Sequence, residues 1–181
     1  FEFEFFVFQE SHHTLNEADH RDLVPLSYGM YGYSATRTSR DQGLVHQLMD
    51  ELRDFDCGIE GFHTETGPGV YEAALSADTA LAAADKAALF KQSVKGIAAQ
   101  HGCTVTFMAK PNAKMPGCSG HVHQSLMDDT GANLFAGAPG ELSELAMQYV
   151  AGQVKHMPEL TSLFAPTVNS YKRFVPGTWA P

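Results

Sequence analysis

Residues 1–8 read FEFEFFVF, and this stretch carries the clearest strand pattern in the chain. Its side chains alternate with a period of two, which predicts a β-strand. One face of that strand carries Phe1, Phe3, Phe5 and Val7, and the other carries Glu2, Glu4, Phe6 and Phe8. The two glutamates stand about 7 Å apart along one face. Burying an unpaired carboxylate is costly, so this face needs a cation, an Arg or Lys partner, or exposure to solvent.

Further along the chain, helix patterns are interleaved with strand patterns. Apolar residues at helical spacing predict one helix that starts at a Ser39–Gln42 capping box and ends at Gly58, and a second that starts at Asp78 and ends at Gly102. A third helix is predicted over about 141–156, closed by Pro158. Strands are predicted at 70–75, 103–108 and 118–127, with a loop at 64–69. This order predicts an α+β fold in which helices pack on an antiparallel or mixed sheet.

The composition is that of an ordinary globular domain with an acidic surplus. The 181 residues include 12 Lys plus Arg against 21 Asp plus Glu, a net charge of −9, and 44% hydrophobic residues. This mixture excludes the disordered and fibrous classes. No run of Lys and Arg offers the charge that a nucleic-acid backbone requires, so nucleic acid is not an expected partner. The acidic balance instead favours cations or cationic substrates.

The cysteines and the absence of targeting patterns indicate in which cellular compartment the protein is expected. Cys57, Cys103 and Cys118 form no CxxC pair and their number is odd, so neither a disulfide framework nor a structural zinc site is expected. No apolar stretch approaches the roughly 20 residues of a membrane span, and no signal-peptide pattern is present at the start. We therefore expect a cytoplasmic protein without a membrane partner. Because the chain opens directly in a strand and stops after a motif-like segment, we also expect an internal piece of a longer protein.

Residues 119–126, SGHVHQSL, repeat the period of two seen at the start of the chain. Ser119, His121, His123 and Ser125 share one face of the predicted strand. Two histidines at i and i+2 can reach one metal ion or two neighbouring sites, although structural histidines with satisfied hydrogen bonds are common. The preceding loop contains Gly117, where the backbone can approach a ligand closely.

Two further glutamates lie on either side of a Gly-Pro-Gly turn. Glu65 in the loop and Glu72 in the next strand could face the same space, or Glu65 could simply be solvated. With the two glutamates of the first strand and the two histidines, they form an oxygen-rich set that suits Mg²⁺ or Mn²⁺ better than thiolate-bound zinc. Paired divalent ions in turn are typical of phosphoryl chemistry. Near the end of the chain, Lys172 and Arg173 fit either a carboxylate or phosphate ligand or a surface ion pair.

Taken in order, these segments resemble the catalytic domain of the glutamine synthetase family. The segments are ExEFF at 2–6, HTETGPGVYE at 63–72, FMAKP at 107–111, GCSGHVHQSL at 117–126 and NSYKRFVPG at 169–177. They extend over essentially the whole chain. The resemblance implies that residues 1–181 are part of a single catalytic domain, without the family's small N-terminal domain and without the C-terminal half of the catalytic domain. The loop form ETGPGxxE resembles the branch that contains γ-glutamyl amine ligases.

The resemblance implies a role for each matching residue. One divalent ion, near the amino-acid substrate, would be held by Glu4, Glu65 and Glu72. A second ion, bridging the nucleotide phosphates, would be held by Glu2 and His121. His123 and Ser125 would lie beside ATP, and the backbone around Gly117 would face glutamate. Arg173 would bind the substrate carboxylate or the transferred phosphoryl group.

The implied reaction is the ATP-dependent formation of a γ-glutamyl amide through a γ-glutamyl phosphate, with ADP as product. The ammonia-using enzymes hold ammonium with a glutamate just before a final Ala-Pro, whereas this chain has Trp179. A tryptophan cannot take a proton from ammonium, but its face can contact an alkylammonium or aromatic amine, worth about 0.5–2 kcal/mol. We therefore expect an organic amine as the acceptor, with ammonia, and hence glutamine synthesis, as the alternative.

Two other classes compete with this interpretation. A non-catalytic family member would keep the fold as a structural protein, although every expected metal-ligand position keeps a competent side chain. A cupin-like barrel also places HxH on a strand, but it requires a glutamate three or four residues later, where this chain has Leu126 and Met127. By resemblance, the intact protein would form homo-oligomeric rings, and these 181 residues alone would be inactive.

Overall fold

The computed structural model describes residues 1–177, and its helices and strands confirm the α+β class. The strands are β1 (Glu2–Phe8), β2 (Ile59–Thr64), β3 (Val70–Leu75), β4 (Thr104–Thr106) and β5 (Gly120–His121). The helices are α1 (His12–Glu17), α2 (Ala35–Arg40), α3 (Gln42–Asp54), α4 (Ala80–Gln100), α5 (Glu144–Phe164) and α6 (Val168–Tyr171). Across residues 1–177, no helix combines the length and the apolar character that crossing a bilayer requires.

The strands form one sheet with β1 at its centre. β1 pairs with β3 on one side and with both β4 and β5 on the other, and β2 extends the sheet beyond β3. Each of these pairs is antiparallel. The alternating stretch at 1–8 is therefore the strand on which the rest of the sheet is assembled.

The period of two in β1 separates the two faces of the sheet. Phe5 and Val7 are buried in a large core cluster that includes Phe90 of α4 and several leucines of α3. Full burial of such a side chain stabilises the fold by about 1.5–3 kcal/mol. On the opposite face, Phe6 and Phe8 belong to a smaller apolar cluster. Helices α3 and α4 thus cover the face that carries Phe5 and Val7, and the two glutamates lie on the opposite face.

The first predicted helix starts and ends at other residues than expected. The Ser39–Gln42 capping box is wrong, because Ser39 lies inside α2 and its hydroxyl donates to the carbonyl four residues earlier at 2.8 Å. Asp41 separates α2 from α3, which ends at Asp54 before it reaches Gly58. The apolar spacing itself is confirmed, since the buried residues of α3 are Leu44, Val45, Leu48 and Leu52.

The other two long helices also differ at their ends. The residue that caps α4 is Thr79, and the predicted cap Asp78 instead accepts a hydrogen bond from the Thr79 amide at 2.7 Å. Pro158 does not close the third helix, because α5 continues through it to Phe164. A proline removes one backbone hydrogen bond, and a helix of 21 residues keeps the others.

Two predicted strands are shorter than expected and one strand was not predicted. The strand at 118–127 is limited to Gly120–His121, the two residues that pair with Phe3 and Glu2 of β1. The strand at 103–108 is limited to Thr104–Thr106. The strand that was not predicted is β2, in which a register shift between Ile59 and Gly61 interrupts the period of two.

Candidate active site

Strand register brings acidic side chains together on the face of the sheet opposite α3 and α4. Glu4 lies directly opposite Glu72 in the β1–β3 pair, and Glu2 lies opposite His121 in the β1–β5 pair. Directly opposed residues of an antiparallel pair have Cβ atoms about 4.5–5.5 Å apart. Four residues from three strands therefore share one small area of this face.

The first cluster of possible metal ligands consists of Glu2, Glu72 and His121, whose ligand atoms all lie within 4.8 Å of one another. His121 Nδ1 is 3.1 Å from Glu2 Oε2, and His123 Nε2 is 3.0 Å from the same oxygen. The hydrogen bond with His123 holds the pKa of Glu2 below its ordinary value of 4.5, against an opposing effect of partial burial. Glu2 is thus kept ionised between two imidazoles.

A second cluster shares Glu72 and adds His63 and Glu65, again within 4.8 Å. His63 lies opposite Glu72 in the β2–β3 pair, and Glu65 follows directly after β2. His63 Nδ1 is 3.5 Å from Glu65 Oε1, and Nε2 is 3.7 Å from Glu72 Oε2. His63 was not among the predicted site residues. Its spacing of two from Glu65 was the available signal, and it required β2 to be identified as a strand.

Glu72 lies at the centre of this concentration of negative charge. Its carboxylate is nine-tenths buried, and burial, together with repulsion by Glu4, raises its pKa above the ordinary value. Among residues 1–177, Oε1 of Glu65 is a buried oxygen without a hydrogen-bond partner. A buried carboxylate without compensation is costly, so this arrangement is complete only with a cation.

Glu4 lines the same space but is held differently. Its Oε2 accepts hydrogen bonds from both the amide and the hydroxyl of Ser119, the latter at 3.1 Å. Within the described residues, Glu4 belongs to neither of the two compact clusters. The predicted trio of Glu4, Glu65 and Glu72 therefore lines one cavity. The third member of the compact cluster that contains Glu65 and Glu72 is His63, not Glu4.

These groups line a cavity of about 820 Å³, which is the size of a typical small-molecule site. Tyr33, itself largely exposed, packs against His63 with ring centroids 4.7 Å apart and the two rings tilted by 33°. Hydrogen bonding of its phenol to the Glu65 carboxylate, and the charge of that carboxylate, raise the pKa of Tyr33. The residues that line the cavity are Glu4, Met30, Tyr33, Glu65, Thr66, Glu72, Lys110, Pro116, Gly117, Ser119, His121 and Arg173.

Arg173 and Gly117 meet at the positively charged part of the cavity. A Cβ atom added to Gly117 would lie 2.7 Å from the Ala109 carbonyl oxygen and 2.8 Å from Arg173 Cδ. Asn169 fixes the segment that carries Arg173, since its amide group exchanges two hydrogen bonds with the backbone of Lys110 at 2.8 and 2.9 Å. Only a residue without a side chain leaves room for Arg173 to pack this closely on the loop.

Two predicted site residues are not brought into this constellation. Ser125 is exposed in the segment after β5 and is not among the cavity-lining residues. Trp179 lies outside the described residues. The structure therefore brings together Glu4, Glu65, Glu72, His121, Gly117 and Arg173 around one cavity. Glu2 does not line the cavity but lies beside it, in contact with His121 and His123.

Comparison with known proteins agrees with this fold. All 181 residues match the family described as "Glutamine synthetase, catalytic domain". Type-1 glutamine synthetase 2 of Dictyostelium discoideum is 48% identical over 183 residues, covering 99% of this chain and 35% of that protein. Glutamate–isopropylamine ligase of a Pseudomonas species is 38% identical over 182 residues, covering 99% and 40%. A solved structure of a GmaS complex with ADP superposes with a TM-score of 0.83 at 30% identity, covering 99% of this chain and 41% of that one.

The chain thus spans about two fifths of the length of these relatives. The cupin-like alternative is wrong, because the matching family and the solved neighbour account for the whole chain. The family match over the whole chain and the superposition with the solved neighbour agree with the antiparallel sheet and its packed helices: the chain belongs to the glutamine synthetase family.

Proposed function

We propose that this protein is an ATP-dependent ligase that joins the side-chain carboxyl group of glutamate to an amine. The observation that carries the proposal is a single cavity lined both by possible metal ligands, Glu65, Glu72 and His121, and by the cationic residues Lys110 and Arg173. Such a cavity offers ligands for divalent cations and partners for a carboxylate or phosphate in the same space. Family membership supplies the class of reaction, a ligase.

The donor set fits divalent cations of the Mg²⁺ or Mn²⁺ kind. The buried oxygen of Glu65 that lacks a hydrogen-bond partner among the described residues and the nearly buried carboxylate of Glu72 favour a positive charge, and oxygen with imidazole donors suits these ions. We propose that one ion is held around Glu4, Glu65 and Glu72, and another by Glu2 and His121. Two such ions, when bound, offset the repulsion between a carboxylate and a polyphosphate and stabilise phosphoryl transfer.

The proposed reaction has two steps. A side-chain carboxylate oxygen of glutamate attacks the terminal phosphorus of ATP and ADP leaves, which gives γ-glutamyl phosphate. The amine nitrogen then attacks the acyl carbon, phosphate leaves, and the nitrogen loses a proton. We assign Arg173 to the substrate carboxylate or the transferred phosphoryl group, the backbone around Gly117 to glutamate, and His123 and Ser125 to the nucleotide.

An organic amine is the proposed acceptor. Trp179 stands where the ammonia-using enzymes carry a glutamate, and one relative is named a glutamate–isopropylamine ligase. The apolar side chain of Met30 and the ring of Tyr33 also line the cavity, together with Glu65. Ammonia is the second candidate, because a relative with 48% identity is named a glutamine synthetase.

We further propose that residues 1–181 are part of a single catalytic domain that is completed by a small N-terminal domain and a C-terminal half. The share of the relatives that the chain spans supports this proposal. The intact protein is proposed to form homo-oligomeric rings in the cytoplasm. The three buried thiols, without a disulfide among the described residues, agree with a reducing compartment.

The decisive experiment is glutamate-dependent phosphate release from ATP by the full-length protein with Mg²⁺ or Mn²⁺, comparing ammonium with alkyl, poly- and aromatic amines. A higher kcat/KM for an organic amine than for ammonium supports the proposal. If ammonium gives the higher kcat/KM, the protein is instead a glutamine synthetase. If no acceptor gives phosphate release, the ligase proposal is refuted and a non-catalytic family member is favoured.

Matched variants separate the site from the fold in the same assay. Glu65→Gln removes a proposed ligand and is expected to lower kcat by about 100-fold or more. Glu60→Gln makes the same chemical change at an exposed position of β2, and it is expected to leave the rate unchanged. The 181-residue chain alone is expected to release no phosphate.

A further inference from the structure

His63 contacts two of the proposed metal ligands, Glu65 and Glu72, but has no role of its own in the proposed site. It lies on β2 directly opposite Glu72, and its two ring nitrogens point at two different carboxylates. Both carboxylates are largely buried, with side-chain exposures of 14% for Glu65 and 10% for Glu72. His63 therefore lies across the gap between two groups that need a positive charge.

The surroundings of the ring fix its orientation and favour one tautomer. Nδ1 is 3.3 Å from the carbonyl oxygen of Thr64, and the ring of Tyr33 packs against the imidazole at an interplanar angle of 33°. That carbonyl also accepts a hydrogen bond from the Tyr33 amide at 2.6 Å, and a proton on Nδ1 can be donated to it as well. Metal-ligating histidines donate their second N–H in the same way, to a backbone carbonyl or carboxylate. Nε2 then presents a lone pair to the region of Glu72.

The contact between Nε2 and Glu72 is incomplete without an additional group. With Nδ1 protonated, Nε2 and Glu72 Oε2 are two acceptors facing each other at 3.7 Å. With Nε2 protonated, 3.7 Å is too long for a hydrogen bond. Two neighbouring ligands of an octahedral ion lie about 3 Å apart. A small side-chain movement would thus let His63 Nε2 and Glu72 Oε2 bind the same cation.

We propose that His63 supplies an imidazole nitrogen to the divalent ion held by Glu65 and Glu72, and that this nitrogen makes the site select Mn²⁺ over Mg²⁺. Carboxylate oxygens suit both ions, whereas imidazole favours first-row transition metals and Mg²⁺ keeps to oxygen ligands. The inference rests on the proposed function, because it concerns the ion assigned there to this cluster.

The test measures metal binding directly, without nucleotide or amine. Mn²⁺ binding to the full-length protein is followed by the loss of the free Mn²⁺ EPR signal, and Mg²⁺ is then titrated as competitor. His63→Ala and His63→Gln are expected to lower the preference for Mn²⁺ over Mg²⁺ by at least about tenfold. His46→Ala removes an exposed histidine of α3 on the other side of the sheet, and it is expected to leave the preference unchanged.

Pulsed EPR of the Mn²⁺ complex gives the second readout. In a His121→Asn background, which removes the other proposed imidazole ligand, nitrogen coupling to Mn²⁺ is expected to persist and then to disappear on addition of His63→Gln. An unchanged Mn²⁺ preference in both His63 variants, or nitrogen coupling that survives in the double variant, overturns the inference. Amide synthesis by the wild-type protein is measured separately, so these outcomes do not bear on the proposed reaction.

Discussion

Replacing Gly117 by alanine tests whether the loop and Arg173 must be in close contact for the enzyme to work. The added Cβ would lie 2.7 Å from the Ala109 carbonyl oxygen and 2.8 Å from Arg173 Cδ. Ordinary van der Waals contact begins at 3.4 Å, so the atoms must separate by about 0.7 Å on the Ala109 side. The carbonyl belongs to the backbone and also accepts a hydrogen bond from the Cys118 amide at 2.8 Å. The loop backbone at residue 117 must therefore shift away from Ala109, and Arg173 Cδ, which lies 2.8 Å from the added Cβ, must move as well.

The expected cost follows from these distances. Overpacking of this size destabilises a protein by about 1–3 kcal/mol. A displacement approaching 1 Å in a group that positions a substrate costs up to about 100-fold in rate. We expect Gly117→Ala to lower kcat/KM for glutamate by about 10- to 100-fold, with most of the loss in KM, because Arg173 is proposed to bind the substrate carboxylate or the phosphoryl group.

The assay is glutamate-dependent phosphate release by the full-length protein over a range of glutamate concentrations, accompanied by thermal unfolding. Gly96→Ala on α4 is the matched control, because a Cβ there meets no atom within 4 Å. That control is expected to stabilise the protein by about 0.5–1 kcal/mol without a change in KM. If Gly117→Ala keeps the wild-type kcat/KM for glutamate, or if Gly96→Ala loses as much, the proposed contact does not govern substrate binding.

Three further predictions follow from particular contacts. Asn169→Ala removes both hydrogen bonds to the Lys110 backbone and is expected to destabilise the fold by about 1–3 kcal/mol in denaturant unfolding and to raise KM for glutamate; an unchanged midpoint would contradict the proposed anchoring. Mn²⁺ at 100 times its Kd should stabilise the wild-type protein by about 2.7 kcal/mol, and Glu72→Gln should abolish this gain in thermal unfolding; a full gain in that variant would show that the ion binds elsewhere. The hydrogen bond from Lys86 holds the pKa of Asp78 below its ordinary 3.8, so this pair stabilises the folded state above pH 3.8 and the effect disappears as the pH falls through the lowered pKa. Asp78→Asn should therefore flatten the acid limb of a plot of Tm against pH, and an unchanged limb would mean that the pair contributes nothing.

Local periodicity predicted the parts of the fold that depend on neighbouring residues. The alternation in 1–8 predicted β1 and assigned Phe5 and Val7 to one face and the two glutamates to the other, because successive strand side chains must point to opposite sides. Helical spacing likewise identified the buried face of α3. The ends of elements were predicted less well, since Pro158 is tolerated inside α5 and Ser39 lies within α2.

The site itself required long-range pairing. Sequence alone selected Glu2, Glu4, Glu72 and His121 as candidates, and it identified Gly117 and Arg173 through resemblance to a family. It could not place His63, because that residue acquires its meaning only from lying opposite Glu72 across the β2–β3 pair. It could not foresee the short β5 either, because which residues of that segment pair with β1 depends on contacts between residues far apart in the chain.

The amino-acid sequence by itself thus determined which side chains share a face of a strand, the acidic character of the chain, and the family to which it belongs. The tertiary structure alone decided which strands lie side by side, and hence that Glu72 is shared by two clusters and that a Cβ at Gly117 would collide with Arg173. The physical reason is that side-chain alternation is a local property of the backbone. Strand register and burial, in contrast, arise from contacts between residues far apart in the chain, and these contacts set the charges and distances on which the proposed chemistry depends.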